Sequence, residues 1–262
     1  MLVDLNCDLG ESFGRYGLGE DEAMLRVVTS ANIACGLHAG DPSVMARTVA
    51  LAKQNRVAVG AHPGYPDLQG FGRREMKLSP DELEAFILYQ VGALAGFCRA
   101  AGTPLVHVKS HGALYNTVAR EADLAAAVAR AISAFDPNLI VVTLPGSAMG
   151  QAAHALGLRV ACEGFADRAY RADGTLAPRS EPGAVIHDPA QAAERAVRMV
   201  TRGEVETTDG RVIALHVDTL CIHGDTPGAV RIAAQLRAAL EAAGIQVTPL
   251  TQVLGGIRRR LW

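Results

Sequence analysis

Side chains able to move protons, hold a metal or neutralise an anion recur at the ends of apolar runs along this 262-residue chain. Asp8 and Glu11 follow the first run, His38 and Asp41 the second, His62 and Asp67 the third, and Lys109, His111, Tyr115 and Asn116 the fourth. Glu163, Asp167 and Arg168 follow the sixth, and His223 and Asp225 the seventh. Any one of these histidines alone is more often a hydrogen-bonded core residue than a ligand or base. Together they resist that reading, because each buried polar group left unpaired costs about 1 to 3 kcal/mol. Carboxylates and imidazoles in one place suit general acid–base chemistry or a divalent metal, and lysine and arginine suit phosphate or carboxylate.

A parallel sheet is the element that brings such clusters together. Apolar runs at 2–7, 31–35, 57–61, 105–108, 139–144, 158–162 and 219–222 alternate with helical patterns, which reads as βα units in an α/β fold. An eighth strand is expected near Gln246–Thr248. The two-residue period puts Asp4, Asn6 and Asp8 on one face of the first strand, with Val3, Leu5 and Cys7 on the other. His107, Lys109 and His111 share a face in the same way, as do Asn32, Ala34, Gly36 and His38, and Cys221, His223 and Asp225. Polar faces turned inward and aliphatic faces turned toward helices describe a (β/α) barrel with a site at its mouth.

Capping signals mark the helix starts at Asp41-Pro42, Ser79-Pro80, Asp188-Pro189 and Thr226-Pro227. The segment 80–101 reads as the longest helix. Glu206 to Leu215, broken by Asp209-Gly210, reads as a β-hairpin inserted near 204–216 in a single domain over 1–262. The segments 62–78 and 163–188 are longer than a compact barrel needs and are candidate lids.

Composition excludes several classes. Apolar residues make up 49% of the chain, enough for a large core, and the formal charge is −2. Outside Arg258, Arg259 and Arg260 there is no basic run, so no nucleic-acid partner is expected. No apolar stretch stands out as a membrane span, which places the chain in the cytoplasm. Five scattered cysteines (Cys7, Cys35, Cys98, Cys162 and Cys221) without a Cys-x-x-Cys pair indicate reduced thiols, not disulfides or a thiolate zinc site. The Leu124, Val128 and Ile132 face reads as core packing in preference to a homo-oligomer contact.

Short signatures narrow the chemistry by failing. There is no P-loop, no Gly-x-Gly-x-x-Gly after a strand and no His-Glu-x-x-His helix. Gly10-Glu11-Ser12-Phe13-Gly14 fits the nucleophile-elbow pattern, but Arg15 to Gly19 interrupts the helix that an elbow requires.

Longer blocks carry more. Asp4-Leu5-Asn6-Cys7-Asp8-Leu9-Gly10-Glu11, Asn32 to Pro42, Gly60 to Asp67, Val108 to Asn116, Glu163 to Tyr170 and His223 to Gly228 resemble, in order, the blocks of the LamB/YcsF family. Ser110 departs from the proline usual there, while Lys109 and His111 remain. The resemblance implies a distorted seven-stranded (β/α) barrel, related to the deacetylase and glycoside hydrolase superfamily. It also implies ATP-dependent opening of the lactam of 5-oxo-L-proline to L-glutamate, carried out with 5-oxoprolinase subunits B and C. An unstrained lactam is a poor electrophile, and phosphorylating its oxygen exposes the ring carbon to water, a step needing cations near phosphate and a base near water.

On that reading Lys109 and Arg168 face phosphate or carboxylate charge, with helix N-termini after Asp41 and Thr226 adding donors to ATP. Asp8, His38 and His62 are the metal candidates, with magnesium, zinc and related ions all open. Asp8, Glu11, Lys109, His111, Glu163, Asp167, Arg168, His223 and Asp225 form the catalytic set. Two alternatives stand beside it: an ATP-independent metal-dependent amidohydrolase or deacetylase, and a non-catalytic subunit that binds a small acid.

Overall fold

The computed structural model describes residues 1–178, 181–223 and 228–255, with only the backbone of His223. In chain order the elements are β1 (Leu2–Leu9), α1 (Asp21–Met24), β2 (Ser30–Ala34), α2 (Pro42–Gln54), β3 (Ala58–His62), α3 (Pro80–Ala101), β4 (Leu105–Lys109), α4 (Gly112–Arg120), α5 (Ala122–Phe135) and β5 (Ile140–Thr143). There follow α6 (Ala148–Ala155), β6 (Arg159–Phe165), α7 (Pro189–Arg202), β7 (Glu204–Glu206), β8 (Val212–Ala214), β9 (Thr219–His223), α8 (Ala229–Ala242), β10 (Gln246–Val247) and α9 (Leu250–Gly255).

Seven parallel strands run β1-β2-β3-β4-β5-β6-β9, and β9 pairs back onto β1 from Asp4↔Thr219 to Asp8↔His223, closing a barrel. Parallel neighbours need crossover connections, and the helices supply them. The strand near Gln246 is present but stays outside the ring, because β10 pairs only with Leu2 and Val3 at the entry end of β1. β7 and β8 form the inserted antiparallel hairpin.

Two kinds of interior follow from the strand period. Outward residues Val3, Leu5, Cys7 and Leu9 are buried under the helices, as are Ile33, Val59, Val108, Leu220 and Ile222. Val128 and Ile132 of α5 lie in this same layer, so that face is core. Inward residues Asp4, Asn6, Asn32, His107, Glu163 and Thr219 are at most 1% exposed, so the barrel axis is polar yet closed off from bulk solvent. Such an interior is stable only if most of its polar atoms find partners.

Local signals set most helix starts. Asp41 and Asp188 accept backbone N–H bonds as N-caps, and Ser79 with Glu82 forms a full capping box. The start expected at Thr226-Pro227 is different: α8 begins at Ala229 with Gly228 as its N-cap at φ +78, and Thr226 itself lies outside the described residues. The run 80–101 is more apolar than the sequence reading allows for. α3 is 22 residues long, and an 18-residue stretch of it has a mean hydropathy of 1.2, enough by length and composition to cross a bilayer. Here Leu83, Ile87, Val91, Leu94 and Cys98 form a stripe buried against the barrel and α5.

Candidate functional site

The barrel floor is a chain of hydrogen bonds. Asp4 accepts from the hydroxyls of Ser30 (2.7 Å), Thr29 (2.8 Å) and Thr219 (2.6 Å). Asn6 donates to Thr219 Oγ1 at 2.7 Å and accepts from Asn32 Nδ2 at 2.7 Å. Asn32 Nδ2 also reaches Asp8 Oδ1 at 2.8 Å, while its oxygen faces His107 Nε2 at 2.7 Å. Burial pushes the Asp4 carboxyl up to about 6 against the pull of its hydroxyl partners, and pushes His107 down to about 3, helped by Lys109.

Above this floor lies Lys109, 3% exposed in its side chain. Its Nζ is 2.9 Å from Asp8 Oδ1, 2.8 Å from Glu163 Oε1 and 3.1 Å from Cys221 Sγ. Burial opposes the charge, but the Asp8 and Glu163 carboxylates outweigh it and hold the ammonium well above its ordinary pKa. Cys221 is pushed up by its own burial, with Asp8 and Glu163 adding to the shift and Lys109 opposing it, so it stays a thiol. Tyr115, whose phenol faces Glu163, is likewise raised by burial first and then by that carboxylate, and remains a donor.

Beside Lys109 three imidazoles converge. His62 Nδ1 donates to the Lys109 carbonyl at 2.8 Å, and His111 Nε2 donates to the Phe71 carbonyl at 2.8 Å. With those protons placed, His62 Nε2 and His111 Nδ1 face each other at 3.0 Å. His38 stacks on His111 with ring centroids 3.8 Å apart, and neither of its buried ring nitrogens has a hydrogen-bond partner among the described residues. Glu11 Oε1 lies 3.4 Å from His38 Nε2 and 3.4 Å from His111 Nδ1. Burial, with the neighbouring rings, pushes His38 well below its ordinary pKa and His111 to about 3.

Glu11, His38, His62 and His111 thus offer four ligand atoms within 4.8 Å of one another, a possible metal-binding site. The donor set fits a metal by its chemistry. Two rings have their far N–H held by main-chain carbonyls, as metal-bound histidines do, and the near nitrogens present lone pairs at each other. Imidazole with one carboxylate suits zinc or a related transition ion. Asp8, expected among the ligands, stands beside this group: its Oδ2 is 3.4 Å from His62 Nε2 while Oδ1 is held by Lys109 and Asn32.

Two loops build the walls. Residues 63–79 lie over the imidazoles through His111 N to Pro63 O and Ala113 N to Gly72 O, and Asp67 pairs with Arg74 to hold the turn. Phe71 has φ 54 and Gly72 φ 65, consecutive left-handed residues that present the Phe71 carbonyl to His111. A Cβ on Gly72 would lie 2.8 Å from both His111 Cδ2 and His38 Cβ. Residues 166–178 and 181–188 form the opposite wall through short bridges such as Arg168↔Val185 and Tyr170↔Leu176. Between the loops opens a cleft of about 500 Å³, with Asp8, His62 and Lys109 in its lining, aromatic and aliphatic walls including Tyr115, Phe165 and Leu176, and Arg73 and Arg120 among its cations.

Among the residues singled out by sequence, Asp8, Glu11, His38, His62, Lys109, His111 and Glu163 converge. Arg168 lines the cleft but spends Nη2 on the Ala177 carbonyl (2.6 Å) and Nε on Ala184 (3.4 Å), staples within its own loop. Asp167 is buried next to it. The Asp41 carboxylate accepts from Ser43 N, Val44 N and Gly14 N, so it occupies the helix donors expected to meet phosphate. The His223 side chain, Asp225 and Thr226 lie outside the described residues. Ser12 is no elbow nucleophile: its hydroxyl is tied to Leu18 and no helix follows directly. Strand alternation places Asn6, Asn32 and His107 inward but gives them no work; Gly60, opposite His107, is the available signal.

Similar proteins fit this geometry. The chain is 58% identical over 255 residues to the A subunit of 5-oxoprolinase from Pyrococcus abyssi, covering 97% of this chain and 100% of that one. It is 58% identical to the same protein of Methylococcus capsulatus, with 97% and 98% covered. The crystal structure of a lactam utilization protein from Thermus thermophilus superposes with a TM-score of 0.91 at 53% identity, over 95% of this chain and 99% of that one. A T48 deacetylase shares the fold alone, with a TM-score of 0.51 at 15% identity over 99% and 93% of the two chains. Residues 3–255 match the LamB/YcsF family, and the chain belongs to it.

Proposed function

We propose that this chain is a hydrolytic subunit of an ATP-dependent 5-oxoprolinase, opening the lactam of 5-oxo-L-proline to L-glutamate. The observation that carries the reading is the Asp8 carboxylate, set between the Lys109 ammonium and the imidazole group in the lining of the cleft. The names of the relatives in Pyrococcus abyssi and Methylococcus capsulatus support the substrate.

In this scheme the lactam lies against Phe165 and Tyr115, which keep bulk water from the ring. Asp8 takes the proton of the attacking water, and Lys109 lowers the energy of the negative charge that develops on the carbonyl oxygen or its phosphate. The protonated phenol of Tyr115 is a further donor at the same wall. Glu11, His38, His62 and His111 would hold a divalent transition metal, which supplies Lewis-acid polarisation and an acidified water when bound. His223 and Asp225 remain candidates for acid–base work.

ATP is consumed by the assembled enzyme, with subunits B and C as partners, and Lys109 and Arg168 supply charge toward phosphate. Five free, buried cysteines are in keeping with a cytoplasmic setting. The metal group favours one second reading, an amidohydrolase that needs neither nucleotide nor partners. Glutamate formation from 5-oxoproline, measured with the full set of subunits and ATP and with each omitted, separates the two. Turnover only in the complete mixture is expected; turnover by the isolated chain with metal alone overturns the proposal.

A further inference from the structure

Asn32 lies on the barrel axis, fully buried, with its carboxamide orientation determined by its neighbours. Asn6 uses its own Nδ2 on Thr219, so it offers Asn32 its oxygen, and Asp8 offers only oxygens. Both partners are acceptors, so the Asn32 nitrogen faces them and its oxygen receives the Nε2–H of His107 at 2.7 Å. His107 fits there because residue 60 is glycine: a Cβ at Gly60 would lie 2.0 Å from His107 Nε2. At Asp8 the Asn32 bond lands on Oδ1, the same oxygen that Lys109 reaches at 2.9 Å, which turns Oδ2 toward His62.

We propose that Asn32 is a positioning residue acting through Asp8, with His107 setting its flip and Gly60 making the room. A side chain needed only to fill this volume would be aliphatic, since burying a carboxamide is favourable only when its bonds are made. Loss of the Nδ2 bond takes the rigid donor from Oδ1 and lets the carboxylate rotate out of line about its contact with Lys109. The inference rests on the reading that Asp8 takes part in turnover.

The test uses the chain assembled with its companion subunits, ATP and 5-oxoproline. For Asn32→Ala, kcat is expected to fall roughly 10- to 100-fold, as for other groups that orient a reacting residue, with bound metal unchanged. KM should stay within about twofold, because a merely loosened cleft would raise KM as well. Asn32→Ser, which keeps one donor, should recover part of the loss. His107→Phe fills the ring volume but cannot donate to Asn32 and should lower kcat alone. In an Asp8→Asn background, Asn32→Ala should have no further effect. Wild-type kcat in Asn32→Ala, or a full multiplicative loss in the double variant, overturns the inference. Full activity in Asp8→Asn alone instead overturns the role given to Asp8, so the two failures are told apart.

Discussion

His62 Nε2 and His111 Nδ1 point at each other across 3.0 Å, each ring having given its other N–H to a backbone carbonyl. Two ring nitrogens at that distance with no proton between them repel, and a single cation relieves both. Glu11 stands ready to share it, and Lys109 is too committed to Asp8 and Glu163 to do so.

Metal binding should therefore depend on this pair. Purified protein loaded with zinc or cobalt is expected to hold one ion per chain, and His111→Ala should weaken binding by roughly tenfold or more. Equilibrium dialysis with elemental analysis checks it; unchanged affinity in both His111→Ala and His62→Ala would mean that a proton, not a metal, sits between the rings.

Asp8→Asn should fold normally and lose turnover by about a hundredfold or more, the usual size of a general-base contribution. Circular dichroism and a glutamate-release assay on one preparation check both halves. Undiminished turnover would remove Asp8 from the chemistry.

Lys109→Met leaves Asp8 and Glu163 buried without their counter-charge. Breaking a buried ion pair from one side costs about 3 to 5 kcal/mol, and a loss of that order in urea denaturation is expected. A stability within error of wild type would show that these carboxyls do not depend on the ammonium.

Asp4 gives a pH signature of the opposite sense to most carboxylates. Its pKa is raised to about 6 in the folded chain from a reference of 3.8, so the folded state holds the proton more tightly. The stability this contributes is complete below the unfolded value and disappears as pH rises through about 6, a swing of about 3 kcal/mol. Asp4→Asn should flatten that part of the stability profile between pH 4 and 7 (~one proton). Parallel slopes for the two proteins would contradict it.

Gly72→Ala combines a left-handed backbone with a Cβ 2.8 Å from the His111 ring and from the His38 Cβ. A cost of about 1 to 3 kcal/mol is expected, together with loss of activity as the Phe71 carbonyl moves off His111. Thermal unfolding and turnover measured on the same variant decide it.

Much of this architecture is written in the period of the strands. Alternation alone places Asp4, Asn6 and Asp8 inside with Lys109 and His111, and the proline-led caps locate α2, α3 and α7. What periodicity does not encode is which inward residues meet. Strand ends group Asp8 with His38 and His62, whereas Glu11 and His111 complete the imidazole group, because the loop over 63–79 and its two left-handed residues set the ring orientations. β6 also runs on to Phe165, past the apolar run that ends at 162, since Glu163 is paired with Lys109 and can stay in a buried strand. A charge in a strand reads as a boundary only when its partner is unknown.

The protons on His62 and His111 are placed by main-chain oxygens of Lys109 and Phe71, atoms that every amino acid possesses. Tautomer choice at this centre is therefore inherited from the path of the polypeptide. Side chains around the cleft are free to diversify toward differently shaped cyclic amides while the two rings keep offering the same nitrogens.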